Sequence, residues 1–450
     1  MRQLTLLAFA GAISLAGSAA QADSTTDVIC RGVTLEWAKV KGGTDVAAMT
    51  RAINDISKVS VCTALLSEAR ARRSAVEASL HQTARSAEQH TTHRPPPTQQ
   101  THVVTYTAPT NDSAATTSGD DAEAKGESAY NAGNYKDART WFKIGAVQGN
   151  LAAETYMGLL YDLGQGVNQD YGQAMTWYRE AADDGYPAAQ YNVGVLFEDG
   201  HGVAQDYAQA LAWDLKAANQ GYATAQYEIG YLMQNGWGTA QNYNGAYQWY
   251  RKAADQGDAG AQYAVGRLYE TGMGVTQDYR AAMNWYVKSA NQDYANAQTE
   301  IGVMYTNGSG VATDYAQAML WYRKAADQGS PYGQFNIGVL YQNGWGVAQD
   351  NSQAAEWYQK AADQGYSEAQ RLLGTLYESG NGEPQDYGQA MALFRKAADQ
   401  GNVQAYDNIA YLYLQGLGVA ADSSQAHAWY QKAADAGDQA ARDWLAQNPS

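Results

Sequence analysis

Proline is scarce in this sequence, 8 in 450 residues, against 45 glycines. So few prolines leave long stretches free to be helical, and so many glycines need regular turns to occupy. Positive charge is also short. The net charge is −16, and residues 1–122 hold 11 of the 30 basic and 11 of the 46 acidic residues, leaving 19 basic against 35 acidic for residues 123–450. A nucleic-acid binder needs a basic footprint to neutralise phosphates. None is present, and the excess negative charge suits solubility or a basic partner instead. Long apolar runs are missing too: beyond the N-terminus no stretch approaches the length of a membrane span.

The N-terminus itself reads as a leader. Met1-Arg2 precedes an apolar run from Leu4 to Leu15, and Ala20-Gln21-Ala22 fits the small-x-small cleavage pattern. Residues 1–22 are therefore a predicted signal peptide, with no membrane span after cleavage. No cysteine follows at a lipoprotein position. The expected location is periplasmic or secreted, in a bacterium.

Cys30 and Cys62 are the only cysteines. In an oxidising compartment such a pair reads as a disulfide, which closes about 33 residues and stabilises by roughly 3–4 kcal/mol in the chain-entropy model. A redox pair would need the close Cys-x-x-Cys spacing. Apolar residues at helical spacing (Val46, Met49, Ile53, Ile56), and a second pattern from Ala64 to Leu80, make 23–80 a small helical segment. Residues 81–122, with Pro95-Pro96-Pro97 and a Thr/Ser/Ala/Asp stretch, form an expected disordered linker. His81, His90, His93 and His102 fall in it at irregular spacing, which gives no metal site.

From Leu151 the sequence recurs every 36 residues through eight units, starting at Leu151, Pro187, Ala223, Ala259, Ala295, Pro331, Ser367 and Val403. The eighth position is Gly in seven units and Ala410 in the last, with a large residue three further on, Tyr in most. Aliphatic residues at the seventh and tenth positions complete a helical stripe, so a helix A runs from about the second to the thirteenth position. A Gly-x-Gly-Val loop follows, as Gly164-Gln165-Gly166-Val167. A phosphate cradle would follow a strand and occur once; these glycines end helix A and turn the chain. Helix B then begins at Asp170 and its equivalents (Asn242 in the third unit), with Gln three residues later in six units. That spacing predicts a capping box, so these acids are caps and not metal ligands or bases. Trp177, Trp213, Trp249, Trp285, Trp321, Trp357 and Trp429 are expected in the core of helix B. Residues 123–150 form a degenerate N-terminal unit, and 439–447 a C-terminal capping helix with Trp444 over the last repeat.

The unit Ala-x-x-x-(Ile/Val)-Gly-x-(Leu/Met)-Tyr-x-x-Gly-x-Gly-Val-x-x-Asp-Tyr-x-x-Ala-x-x-Trp-Tyr-x-Lys-Ala-Ala-x-x-Gly resembles the Sel-1-like repeat family, relatives of the tetratricopeptide repeats. The resemblance covers 123–450. It implies an all-α, right-handed α/α superhelical solenoid that acts as an adaptor or scaffold, in bacteria often tied to envelope processes. A secreted, cysteine-rich subfamily has been associated with β-lactam binding or hydrolysis, but its repeats carry paired cysteines and this chain has none after Cys62.

The expected function is a non-catalytic, exported protein-binding scaffold without cofactor. A β-lactam- or peptidoglycan-processing hydrolase is the rival, and a glycan-binding solenoid linked to exopolysaccharide the third reading. No Ser-x-x-Lys or Gly-x-Ser-x-Gly arrangement occurs in the repeats. For the binding surface, positions five, nine and twelve of helix A vary between units and share one face, which in related superhelices lines the concave groove. Candidate partner-binding residues there are Tyr191, Tyr227, Tyr231, Tyr263, Arg267, Phe335, Arg371 and Tyr411, aromatic and Arg being the usual carriers of interface energy.

Overall fold

The computed structural model describes residues 118–449. The predicted signal peptide, the segment holding Cys30 and Cys62 and most of the expected linker lie outside the described residues. Nineteen helices, and no strand among the described residues, follow one another in antiparallel pairs. The first helix, Ser118–Asn131, starts inside the stretch assigned to the linker, with Asp120 and Asp121 in its first turn, where carboxylates favour helix formation.

Each unit repeats one local solution. Helix A fills the first thirteen positions, as Ala223–Asn235 does, and ends on a glycine in the left-handed conformation, such as Gly236 at φ 72°. The second glycine of the loop has a different task. A Cβ on Gly238 would stand 2.3 Å from the carbonyl oxygen of Tyr207 in the preceding unit, so only glycine lets the turn sit on its neighbour. Helix B then starts on its acid: the Asp170 and Asp314 side chains accept from the backbone N–H of Gln173 and Gln317, each at 3.0 Å. This is the forward half of the predicted capping box. Another left-handed glycine ends helix B in seven units, Gly329 for one. In the fourth unit Asp293 stands there at φ 60°, a strained position for a side chain. Asp293→Gly is therefore expected to raise stability by about 0.5–1 kcal/mol, measured by urea denaturation. An unchanged or lower midpoint would show the aspartate to be unstrained.

The core contradicts one expectation. The fully buried aromatic of helix B is not the tryptophan but the residue after it: Tyr178, Tyr250, Tyr286, Tyr322 and Tyr358 are at most 1% exposed, and Phe394 is fully buried. Their rings lie on the eighth-position glycines of helix A, where a Cβ would come within 2.4–2.7 Å of a ring carbon. Most of the tryptophans are only half-buried. A lysine one turn on covers the ring, as Lys252 does 3.6 Å above Trp249 and Lys360 above Trp357. Both spacings belong to one helix, so the pattern alone does not say which aromatic points inward. The last unit supports the glycine argument: with Ala410 in place of glycine, Tyr430 is only half-buried and packs against Trp444, ring centroids 4.2 Å apart and tilted by 31°.

Adjacent units are also joined by an amide ladder. Gln226, 5% exposed, donates to the Ala218 carbonyl of the preceding helix B at 3.1 Å and accepts from Gln256 at 2.8 Å. Gln190, Gln262, Gln298 and Gln370 repeat it. Buried amides satisfied on both sides fix the register of each stack. At the N-terminal end, Phe142 takes the ring position over Gly126. At the other end, helix Gln439–Gln447 caps the array as expected. No helix among the described residues is long and apolar enough to cross a membrane. The fold is an all-α solenoid, stabilised mainly by contacts between neighbours.

Candidate binding face

The face of helix A that carries positions five, nine and twelve is shaped by the buried tyrosine of helix B beneath it. That tyrosine's hydroxyl reaches position twelve of its own unit: Tyr178 to Asp162 at 3.2 Å, Tyr286 to Glu270 at 2.5 Å, Tyr322 to Thr306 at 3.0 Å and Tyr358 to Gln342 at 2.6 Å. Position twelve is thus a polar cap over an apolar column.

Position five packs at the unit boundary. Tyr263 lies between Tyr286 (ring centroids 5.7 Å) and Tyr294 (5.4 Å), and Phe335 between Tyr358 (5.7 Å) and Tyr366 (5.0 Å). Tyr227 stands 5.4 Å from Tyr250, and Tyr191 5.7 Å from Tyr222. These four are half-buried and hold units together as well as facing outward. Thr155 and Thr299 at the same position instead bond back to the Leu151 and Ala295 carbonyls. The remaining candidates differ among themselves. Tyr231 is 9% exposed and meets Trp237 edge-on at 5.5 Å. Arg267 Nη1 lies 3.4 Å from Glu300 Oε1, and Arg371 is bonded to Glu368. Tyr411 is the most open, 43% exposed. Trp237 and Trp345 in the A–B turns pack on Tyr207 and Tyr315 of the preceding units.

Two carboxyls on this face, and Asp214 on helix B beneath it, hold their protons unusually tightly. Burial, reinforced by Glu300, pushes Glu270 up to about 7. Burial and then Asp438 push Asp407 to about 7. Asp214 is raised well above the ordinary range by burial, then by Glu228 and Glu198. Among the described residues, no group of three His, Cys, Asp or Glu is arranged to hold a metal ion.

The repeat geometry can now be set against known proteins. The Sel1 repeat pattern matches eight consecutive segments, 151–186, 187–222, 223–258, 259–294, 295–330, 331–366, 367–402 and 403–438. This chain belongs to the Sel1 repeat family. Among solved structures it is similar to c5321, a protective antigen present in uropathogenic Escherichia coli strains and displaying an SLR fold. The identity is 34% over 73% of this chain and 79% of that one, with a TM-score of 0.54. It is also similar to a Sel1 repeat protein from Oxalobacter formigenes, at 32% identity over 54% of this chain and 96% of that one, with a TM-score of 0.50. A comparison with curated protein sequences gives no match.

Two features of this Sel1 array escape a reading by type alone. The glutamine ladder shows in the sequence only as a Gln at position four of six units. The ring position of helix B is broken once, in the second unit, where Trp213 is followed by Asp214 and not by an aromatic. That exception is legible in the sequence, as Ala212-Trp213-Asp214-Leu215 among units reading Trp-Tyr or Leu-Phe.

Proposed function

We propose that this Sel1 repeat chain is an exported protein-binding scaffold of the bacterial cell envelope, which holds its partner on the face of helix A described above. One observation carries the reading. Repeat-constant positions are consumed by packing, ladder and caps, while positions five, nine and twelve of helix A vary and place aromatics, carboxylates and arginines on one face. A stacked array with a varied extended face is how a solenoid presents a specific surface. A hydrolase would need a nucleophile, base and orienter at one place. Of the two histidines among the described residues, His201 stacks on Tyr171 at 4.2 Å in an A–B turn and His427 meets the Trp444 ring at 5.3 Å.

The test borrows the native threonines. Because Thr155 and Thr299 occupy position five, Tyr191→Thr, Tyr227→Thr and Tyr263→Thr together are expected to keep the helical circular dichroism at a somewhat lower melting temperature. Capture of partners from an envelope extract should be lost. Undiminished capture by this folded variant would move the binding surface elsewhere, and hydrolysis of nitrocefin or cell wall by the native chain would replace the scaffold reading with the enzymatic one.

A further inference from the structure

The junction between the N-terminal unit and the first full repeat breaks the pattern at one side chain. Position twenty-five, on helix B, is apolar in most units, as Met175, Leu211, Met283, Met319, Ala355 and Met391. Met283, Met319 and Met391 belong to the core beside Tyr305, Tyr341 and Tyr413, which stand at position eleven of the following units. In the third unit Tyr247 takes the place, with its hydroxyl 2.9 Å from that of Tyr269. The N-terminal unit has Arg139 there, and the tyrosine it meets is Tyr161.

With Tyr161 and the A–B turn from Gly166 to Asp170, Arg139 lines a cleft of 610 Å³. The turn is seated on the same helix one turn earlier, where a Cβ on Gly166 would come 2.8 Å from the Tyr135 carbonyl carbon. Arg139 is half-buried, and its Nε is turned against the protein without a hydrogen-bond partner. The ion pairs among the described residues do not include it. The backbone N–H groups of Gly166, Val167, Asn168 and Gln169 donate to no described backbone group either. Asp170, the one acid in the lining, is engaged as a helix cap and accepts from the Gln173 N–H at 3.0 Å. A half-buried cation with no counter-charge is costly, and methionine, the residue of four other units, would avoid that cost. The cleft has donors in excess of acceptors, so its complement is an anion.

We propose that this cleft receives one carboxylate of a protein partner, an aspartate or glutamate side chain held end-on by the two Nη groups of Arg139. The planar guanidinium fork matches the two oxygens of a carboxylate, and the unbonded N–H groups of the turn line the same cleft. Asp170 in the lining and the net charge of −16 both disfavour a polyanion, which leaves a single acidic side chain as the occupant. The site lies at an A–B turn, away from the variable face of helix A, so it goes beyond the scaffold reading and can fail separately from it.

The experiment uses the full chain and two rhodamine-labelled, C-terminally amidated peptides, Gly-Gly-Glu-Gly-Gly and Gly-Gly-Gln-Gly-Gly, followed by anisotropy at low salt. The native chain is expected to bind the glutamate peptide about fivefold more tightly than the glutamine peptide, as a partly exposed ion pair allows. Arg139→Met copies units one, four, five and seven, should melt no lower than the native chain, and should lose the preference. Arg139→Lys keeps the charge without the fork and should lose most of it. Lys143→Gln, which removes an exposed cation from the same helix, should leave it unchanged. No preference in the native chain, an undiminished one in Arg139→Met or Arg139→Lys, or an equal loss in Lys143→Gln would each overturn the carboxylate site. Displacement of the glutamate peptide by inorganic phosphate well beyond that by chloride at equal ionic strength would overturn it in favour of a phosphate site. The threonine variant of helix A should keep the peptide preference whatever becomes of its envelope capture, and loss of the preference there would overturn the placement at Arg139.

Discussion

Tyr322→Ala is expected to lower the stability of the fifth unit by about 3–5 kcal/mol, as truncation of a large core aromatic does. The neighbouring Trp321→Ala should cost only about 1–2 kcal/mol, because that ring is half-buried beneath Lys324 and loses less apolar contact. The difference follows from what each ring touches. Tyr322 is 1% exposed, lies on the bare Cα of Gly302 and bonds through its hydroxyl to Thr306. Its removal opens a cavity between two helices and leaves a polar cap unmatched. The complementary change, Gly302→Ala, places a methyl within 2.4 Å of the same ring and should destabilise by about 1–3 kcal/mol or more through overpacking. Nearest-neighbour coupling confines the damage, so hydrogen exchange should accelerate in units four to six and leave the ends protected. Equal costs for Tyr322→Ala and Trp321→Ala would mean that the two rings share the core.

Those paired residues also show how far the sequence could be read. The 36-residue period, the two helices per unit, the acid caps and the turn glycines are local signals repeated eight times, so noise at one position is averaged out by the others. Which of two adjacent aromatics faces inward is not local. It is decided by the glycine on the facing helix, and Gly158 or Gly302 opposite a ring becomes legible only when the two helices are laid side by side. The candidate binding residues show the same limit. Their shared face follows from spacing alone. That Tyr263 and Phe335 are wedged between rings from helix B and the following turn, and that Arg267 pairs with Glu300 of the next unit, depends on contacts between elements, whereas the Arg371–Glu368 pair lies within one helix.

The pH response of the array should trace to Glu270. Burial and Glu300 raise its carboxyl from the ordinary 4.5 to about 7. The folded chain therefore keeps a proton that the unfolded chain releases between those values. With fewer protons bound in the unfolded state, stability falls as pH rises through that window and levels off above it. A shift of this size is worth about 3 kcal/mol. Glu270→Gln removes the titration and copies an arrangement the molecule already uses, since Tyr358 donates to Gln342 in the sixth unit as Tyr286 does to Glu270 in the fourth. Arg267 keeps Glu300 as its partner, so the variant does not strand a cation. At pH 5 the two chains should unfold together. At pH 8 Glu270→Gln should be more stable by about 1–3 kcal/mol, and hydrogen exchange in unit four should become nearly independent of pH. Parallel pH profiles for the native chain and Glu270→Gln would place the titrating group elsewhere, with Asp407, also raised to about 7, the next to replace.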